Sequence, residues 1–322
     1  MTPRPSRGGV LTTGESLGLI VTDGPLHERR TRVGFGGAES NVAIALTRLG
    51  TPVSWIGRIG DDAFGDLIER ELRAEGVATT ALRCTTHATG LMVKERRAFG
   101  RSRVRYYRST SAATTLTADD IPDDVLRSSA TVHLTGITAA ISPAARAAVL
   151  DIAHRAGDVG VPVSFDLNYR SQLWDRPTAA AFYARILPLV DVVFAGDDEA
   201  RIVVGDHADP ATLARALRDL GPREAVIKLG AAGAVASDAN GTERQEALAV
   251  TAVDTVGAGD GFVAGYLSER LQGASMRGCL VTGVQVGAFA CLGAGDWESM
   301  PRRSDLLLVD QNGAAAAEVV DR

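Results

Sequence analysis

Cysteine is scarce in this chain. Cys84, Cys279 and Cys291 are odd in number and lack metal-site spacing, which argues against a disulfide framework or a thiolate metal centre. Such sparse use suits a reducing compartment, so a cytoplasmic location is expected. His27, His87, His133, His154 and His207 include no HxxxH-type pair and read as surface or satisfied core residues rather than metal ligands. Nothing approaches the ~20 consecutive apolar residues of a membrane-spanning helix. Residues 1–9 carry positive charge but no apolar run of the ~7–15 residues that a secretory signal needs, and they read as a short disordered arm. An excess of positive charge is missing too. The formal net charge of -5 gives no reason to expect nucleic acid or an anionic membrane as partner. No repeat recurs at solenoid periods, and the low-complexity content is an alanine run at 314–317.

What remains is an ordinary globular composition, 45% hydrophobic and 23% charged over 322 residues. Short apolar runs at 130–135, 161–166, 191–195 and 225–229 alternate with helical patterns near 143–156, 178–189 and 210–220. That order predicts an α/β fold with a mostly parallel central sheet flanked by helices. Ligands of such sheets bind at the carboxyl ends of the strands. Polar residues cluster there: Thr135 and Gly136, then Asp166, Asn168 and Arg170, then Asp197 and Glu199, then Gly230 and Gly233.

Two other regions alternate apolar and charged residues. Leu17–Thr22 reads as a first strand, followed by a polar, Arg-rich return to Val33. Leu91 and Val93 answer Val104 and Tyr106 across a turn at Phe99-Gly100-Arg101, a hairpin too charged for a central strand. Together they predict a small β-sheet lid, from about 15–35 and 89–112, set into one domain spanning 1–322. Asp61 and Asp62 precede a helix and read as caps.

The chemistry concentrates in Asp254-Thr-Val-Gly-Ala-Gly-Asp-Gly-Phe-Val-Ala-Gly-Tyr-Leu267. Gly257, Ala258 and Gly259 let a backbone wrap closely around a phosphate. The helical pattern that follows, with Val263, Leu267 and Leu271 on one stripe, aims its first N–H groups and its positive end at the same point. Asp260 then stands beside an anion site. For binding alone that charge is unfavourable. It makes sense if the carboxylate handles a hydroxyl that attacks phosphorus. Gly36 and Gly37 open a second helix, with Asn41 in its first turn, and offer another point of backbone access.

Asp254-Thr255-Val256-Gly257-Ala258-Gly259-Asp260 resembles the signature of the ribokinase-like (PfkB) carbohydrate kinases. The Gly36-Gly37-x-x-x-Asn41 spacing is similar to that family's N-terminal motif. The likeness runs from about Gly14 to Pro301. It is greatest to the 2-keto-3-deoxygluconate kinases, through Arg103-Val-Arg-Tyr-Tyr-Arg-Ser-Thr-Ser-Ala-Ala113, Phe165-Asp-Leu-Asn-Tyr-Arg-Ser-Gln-Leu-Trp174 and Gly295-Asp-Trp-Glu-Ser-Met-Pro301. The resemblance implies a ribokinase-like fold and transfer of phosphate from MgATP to the terminal hydroxyl of a keto-deoxy sugar acid. Asp260 would be the general base, with Gly257, Ala258 and Gly259 forming the anion hole. Gly36, Gly37, Asn41, Tyr106, Arg108 and Arg170 would contact the sugar. Asn168, Lys228, Gly230 and Gly233, with Gly257 and Gly259, would hold the nucleotide, and Glu199 would meet Mg²⁺, directly or through water. A homo-oligomer built through the lid is also implied.

Three positions depart from the family pattern. Gly196 stands where an Asn is common, Met92 where an aromatic is common, and Leu19 where ribose kinases carry Asp. The alternatives are a kinase for another sugar, such as fructose or 2-keto-3-deoxygalactonate, and a non-catalytic sugar-binding protein on the same scaffold. A Rossmann dehydrogenase is disfavoured, because no Gly-x-Gly-x-x-Gly follows the first strand.

Overall fold

The computed structural model describes residues 8–22, 31–96, 102–207 and 209–309. In chain order these form β1 (Gly8–Thr13), β2 (Leu17–Thr22), β3 (Thr31–Gly36), α1 (Ala38–Arg48), β4 (Val53–Gly60), α2 (Ala63–Ala74) and β5 (Ala78–Cys84). Next come β6 (Leu91–Arg96), β7 (Ser102–Tyr107), α3 (Asp123–Ser128), β8 (Ser129–Thr135), α4 (Gly136–Ile141), α5 (Pro143–Asp158) and β9 (Val163–Asp166). The chain continues through α6 (Arg176–Ile186), β10 (Val192–Gly196), α7 (Asp197–Val204), α8 (Pro210–Arg218) and β11 (Glu224–Lys228). It ends in β12 (Ala234–Asp238), β13 (Gly241–Gln245), α9 (Ala258–Leu271) and α10 (Met276–Ala290).

Nine strands make the main sheet in the order β13-β12-β11-β10-β9-β8-β1-β4-β5. From β11 to β5 neighbours are parallel, and β12 and β13 add an antiparallel edge. Burial on both faces explains why these strands read as apolar runs. In β10, Val193 and Ala195 enter one core with α5, α6 and α8, while Val192 and Phe194 enter the other with α1, α9 and α10. Strand order runs one way from β1 to β5 and the other way from β8 onward. The switch therefore lies between β1 and β8, where a crevice opens outside the carboxyl ends.

The chain leaves β1 directly into the lid, a second sheet of four strands in the order β3-β2-β6-β7. Leu17, Leu19 and Met92 pack on its inner face, with Val21 and Val104 beside them. The expected turn at Phe99-Gly100-Arg101 lies outside the described residues, as do residues 1–7 of the expected arm and the alanine run at 314–317. Gly8 and Gly9 correct that expectation: they open β1. A Cβ on Gly9 would lie 1.6 Å from the Pro52 carbonyl oxygen, so glycine there lets β1 lie flush against the entry to β4. Leu17–Thr22 is thus the second strand.

α2 begins as anticipated, with Asp62 accepting from the Gly65 N–H at 2.9 Å. Helix α9 buries Phe262, Val263, Tyr266 and Leu267. Gly265 allows α10 to approach, since a Cβ there would meet the Thr282 carbonyl oxygen at 2.7 Å. The turn before α9 does not follow a strand directly, because 246–257 is irregular.

Candidate active site

Beneath the lid lies a cavity of about 1020 Å³, walled by the strand ends of the main sheet, the starts of α1 and α9, and the inner face of the lid. Gly36, Gly37, Asn41, Gly257, Gly259 and Asp260 all line it. Two turns far apart in sequence meet here: the Asn41 side-chain amide donates to Asp260 Oδ2 at 2.8 Å across 219 residues. Asn41 Oδ1 accepts in turn from the Gly37 N–H at 3.4 Å. Gly36 and Gly37 are small because their surroundings are tight. A Cβ would meet Asp296 Oδ2 at 2.0 Å on Gly36 and the Glu15 carbonyl oxygen at 2.3 Å on Gly37.

Gly257 caps α9 in the left-handed region at φ 77, and no side chain caps that end. The uncapped start of the helix thus borders the cavity through Gly257, Gly259 and Asp260, the kind of place where an anion is held. Ala258 starts the helix but does not line the cavity. Burial pushes the Asp260 carboxyl up to about 6; the Asn41 hydrogen bond opposes this, the Asp166 charge adds to it, and Lys228 and Arg170 oppose it.

The strand ends supply the charges. From β11, Lys228 Nζ pairs with Asp166 Oδ2 of β9 at 2.6 Å. Burial alone would lower the Lys228 pKa, but the carboxylates of Asp166 and Glu199 reverse this and hold it above the usual lysine range. A Cβ on Gly259 would come within 3.6 Å of Lys228 Nζ, so this ammonium sits under the anion turn. Glu199 spends both oxygens on backbone, accepting from Tyr169 N–H at 2.9 Å and Gly196 N–H at 2.7 Å. Gly196 itself lacks the polar side chain common at its place in the family. Asn168 lines the cavity in a left-handed conformation, φ 38, which Asn tolerates better than most residues.

Arg170 also lines the cavity, and its described hydrogen bond is to its neighbour's carbonyl, Tyr169 O, at 3.4 Å. Asp175, five residues on, caps α6 by accepting from the Thr178 N–H at 2.7 Å. Gly230 and Gly233 are not among the lining residues. Gly233 takes φ 88, and a Cβ there would strike the Gln245 carbonyl oxygen at 2.0 Å, whereas Gly230 at φ 55 faces open space.

On the lid, the Arg108 guanidinium lies 5.5 Å over the Tyr106 ring and pairs with the buried Glu15 carboxylate. Ser111 donates to the same carboxylate. Arg108 is therefore a held cation, not a solvated lid charge. Met92 contributes apolar surface to the wall where an aromatic is common.

Several cavity groups carry no role in the sequence reading. Asp296 lines the cavity, and burial, then the nearby Asp260 charge, pushes its carboxyl up to about 7. Its only sequence signal is its place in the Gly295–Pro301 likeness. Lys94 is an inward-facing position of β6, readable from the alternation with Met92. Glu39 is buried behind the cavity, where Thr135 Oγ1 donates to it at 2.6 Å and burial pushes its carboxyl up to about 7.

The geometry is that of an anion turn with a carboxylate poised beside it. A "2-dehydro-3-deoxygluconokinase" of Bacillus subtilis (strain 168) is 35% identical over 303 residues, covering 92% of this chain and 93% of that protein. A "2-dehydro-3-deoxygalactonokinase" of Haloferax volcanii is 32% identical, over 87% of this chain and 89% of that one. Among solved structures, a fructokinase of Vibrio cholerae O395, with fructose, ADP and a calcium ion bound, superposes with a TM-score of 0.82 at 28% identity, covering 94% of this chain and 99% of the other. The description "pfkB family carbohydrate kinase" matches residues 13–303, which include both turns that meet at Asp260. This chain therefore belongs to the pfkB family of carbohydrate kinases and is an ATP-dependent sugar kinase.

Proposed function

We propose that the enzyme phosphorylates the terminal hydroxyl of 2-keto-3-deoxygluconate. The observation that carries this reading is the Arg170 guanidinium at the cavity, whose described hydrogen bond is to a backbone carbonyl, with Asp260 lining the same cavity; Arg108 reaches it from the lid with its charge already answered by Glu15. Guanidinium groups suit planar recognition of a carboxylate, which a neutral sugar lacks. The relative named 2-dehydro-3-deoxygluconokinase supports the same substrate class.

In this reading the sugar hydroxyl lies against Asp260, which takes its proton as the oxygen bonds to phosphorus. The bond from that phosphorus to the bridging oxygen breaks and ADP leaves. Asn41 keeps the carboxylate aimed, and the amides of Gly257 to Asp260, with Lys228 beneath, neutralise the phosphoryl group in transit.

Among the described residues, no three His, Cys, Asp or Glu converge to hold a metal. Glu199 has both oxygens occupied by amides. The donor set therefore fits Mg²⁺ carried on the nucleotide phosphates with waters between it and Glu199, not a protein cage. When bound, the ion supplies charge neutralisation to the phosphates.

The direct test is ADP release from MgATP with 2-keto-3-deoxygluconate, 2-keto-3-deoxygalactonate, fructose and ribose. Turnover should be confined to the keto-deoxy acids. Arg170→Met should raise KM for the acid by ~10–100-fold, the weight of one charge-assisted hydrogen bond. Turnover on neutral sugars alone would remove the acid specificity.

The raised Asp260 carboxyl sets a pH dependence. The base form is required, so activity is present above the folded pKa of about 6 and is lost as pH falls through it. A plot of log kcat/KM should climb with unit slope below that pH and then level. A flat profile down to pH ~5 would count against proton transfer to Asp260.

A further inference from the structure

Lys94 stands on the lid face turned to the cavity, among the apolar side chains of Leu17, Leu19, Met92 and Val104. It is only 6% exposed. A buried ammonium in such a setting needs a partner. The partner is not in the lid. Lys94 Nζ pairs with Asp254 Oδ2 across 160 residues, and Asp254 opens the loop that becomes the anion turn.

The other oxygen of Asp254 is also engaged, accepting from the Val256 N–H at 3.3 Å. One residue later Gly257 turns into α9 with almost no slack, since a Cβ there would lie 1.8 Å from the Asp296 carbonyl oxygen. The loop's opposite side is tied to the body of the enzyme, where Val253 and Asp254 N–H groups both reach Cys291 O, at 2.8 and 3.4 Å. Asp254 is thus held by the body through its backbone and by the lid through its side chain. The Asp254 side chain therefore joins β6 to the loop that leads into Gly257 to Asp260.

We infer that Lys94 is a positioning residue: its pairing with Asp254 clamps the lid to the anion turn, so that the turn takes its phosphate-binding shape when β6 is seated over the cavity. The sequence separation makes this a link between two modules and not a local cap. The inference rests on the reading of Gly257 to Asp260 as the transfer site.

The test uses the full-length enzyme with whichever sugar acid it turns over. Four variants are measured for kcat, both KM values and melting temperature: Lys94→Met, Lys94→Arg, the double variant Lys94→Met with Asp254→Asn, and Asp260→Asn. Lys94→Met should lower kcat by ~10–100-fold, the scale expected when reacting groups are displaced by about 1 Å. KM for the sugar should change by less than about threefold, and Lys94→Arg should recover most of the rate.

Should Lys94→Met alone fail to fold because Asp254 is left charged and unpaired, the double variant removes both charges and should fold. It should match the wild type in melting temperature yet stay slow. A double variant with wild-type kcat overturns the inference, because the pair would then matter for folding alone. If Asp260→Asn is inactive while the double variant is fast, the site reading stands and the Lys94 role falls. If Asp260→Asn turns over normally, the site reading falls and takes this inference with it.

Discussion

Asp260→Asn should lower kcat by ~10²–10⁴-fold, the usual contribution of a positioned general base, while MgATP still binds. The side chain is isosteric, and its amide can turn its oxygen to keep the 2.8 Å hydrogen bond from Asn41. The fold and the junction between α1 and α9 therefore survive. What is lost is the proton acceptor. Removing a negative charge beside the phosphates should leave nucleotide affinity equal or higher, so titration calorimetry with MgATP separates this outcome from misfolding. Near-normal single-turnover ADP release in the variant would take Asp260 out of the mechanism.

Gly257→Ala should cost ~10²–10³-fold in kcat, comparable to the loss of one donor from an oxyanion hole. Two effects coincide. The residue sits at φ 77, where an L side chain costs ~1–2 kcal/mol, and its Cβ would be 1.8 Å from the Asp296 carbonyl oxygen. Since that contact is with backbone, the turn itself must shift, and the first amides of α9 shift with it. Gly259→Ala is the matched comparison. Its Cβ would meet only the end of Lys228 at 3.6 Å, so the melting temperature should stay unchanged. Wild-type kcat in Gly257→Ala would show that the turn is not the phosphate site.

Much of the site was legible in the chain because its two principal turns are local objects. Gly36-Gly37 before α1 and Gly257-Ala-Gly before α9 advertise backbone access, and Asn41 and Asp260 lie within one helical turn of them. Apolar runs of β9, β10 and β11 marked their carboxyl ends, where Asp166, Asn168, Arg170, Glu199 and Lys228 do gather. By contrast β1 was hidden. Val10-Leu-Thr-Thr13 is short, half threonine and preceded by two glycines, and its stability comes from β4 and β8 on either side.

The electrostatic assignments were the least legible. Arg108 was read as a substrate contact, and its pairing with Glu15 was not readable. Glu199 was read as meeting Mg²⁺ directly or through water, and the two backbone amides on its carboxylate were not readable. Lys94 was signalled only by its alternation with Met92, and Asp296 only by its place in the Gly295–Pro301 likeness.

The fold class, the strand-end placement of polar groups and the two glycine turns are readable from the order of residues alone. Periodicity and backbone sterics act over a few residues and leave their mark in the local order of residues. Which polar group answers which charge emerges only in the folded chain: Asn41 with Asp260, Lys228 with Asp166, Arg108 with Glu15 and Lys94 with Asp254. Those pairings depend on how β1 and β8 divide the sheet and where the lid comes down. A buried charge takes the partner that topology brings within reach, however far away it lies along the chain.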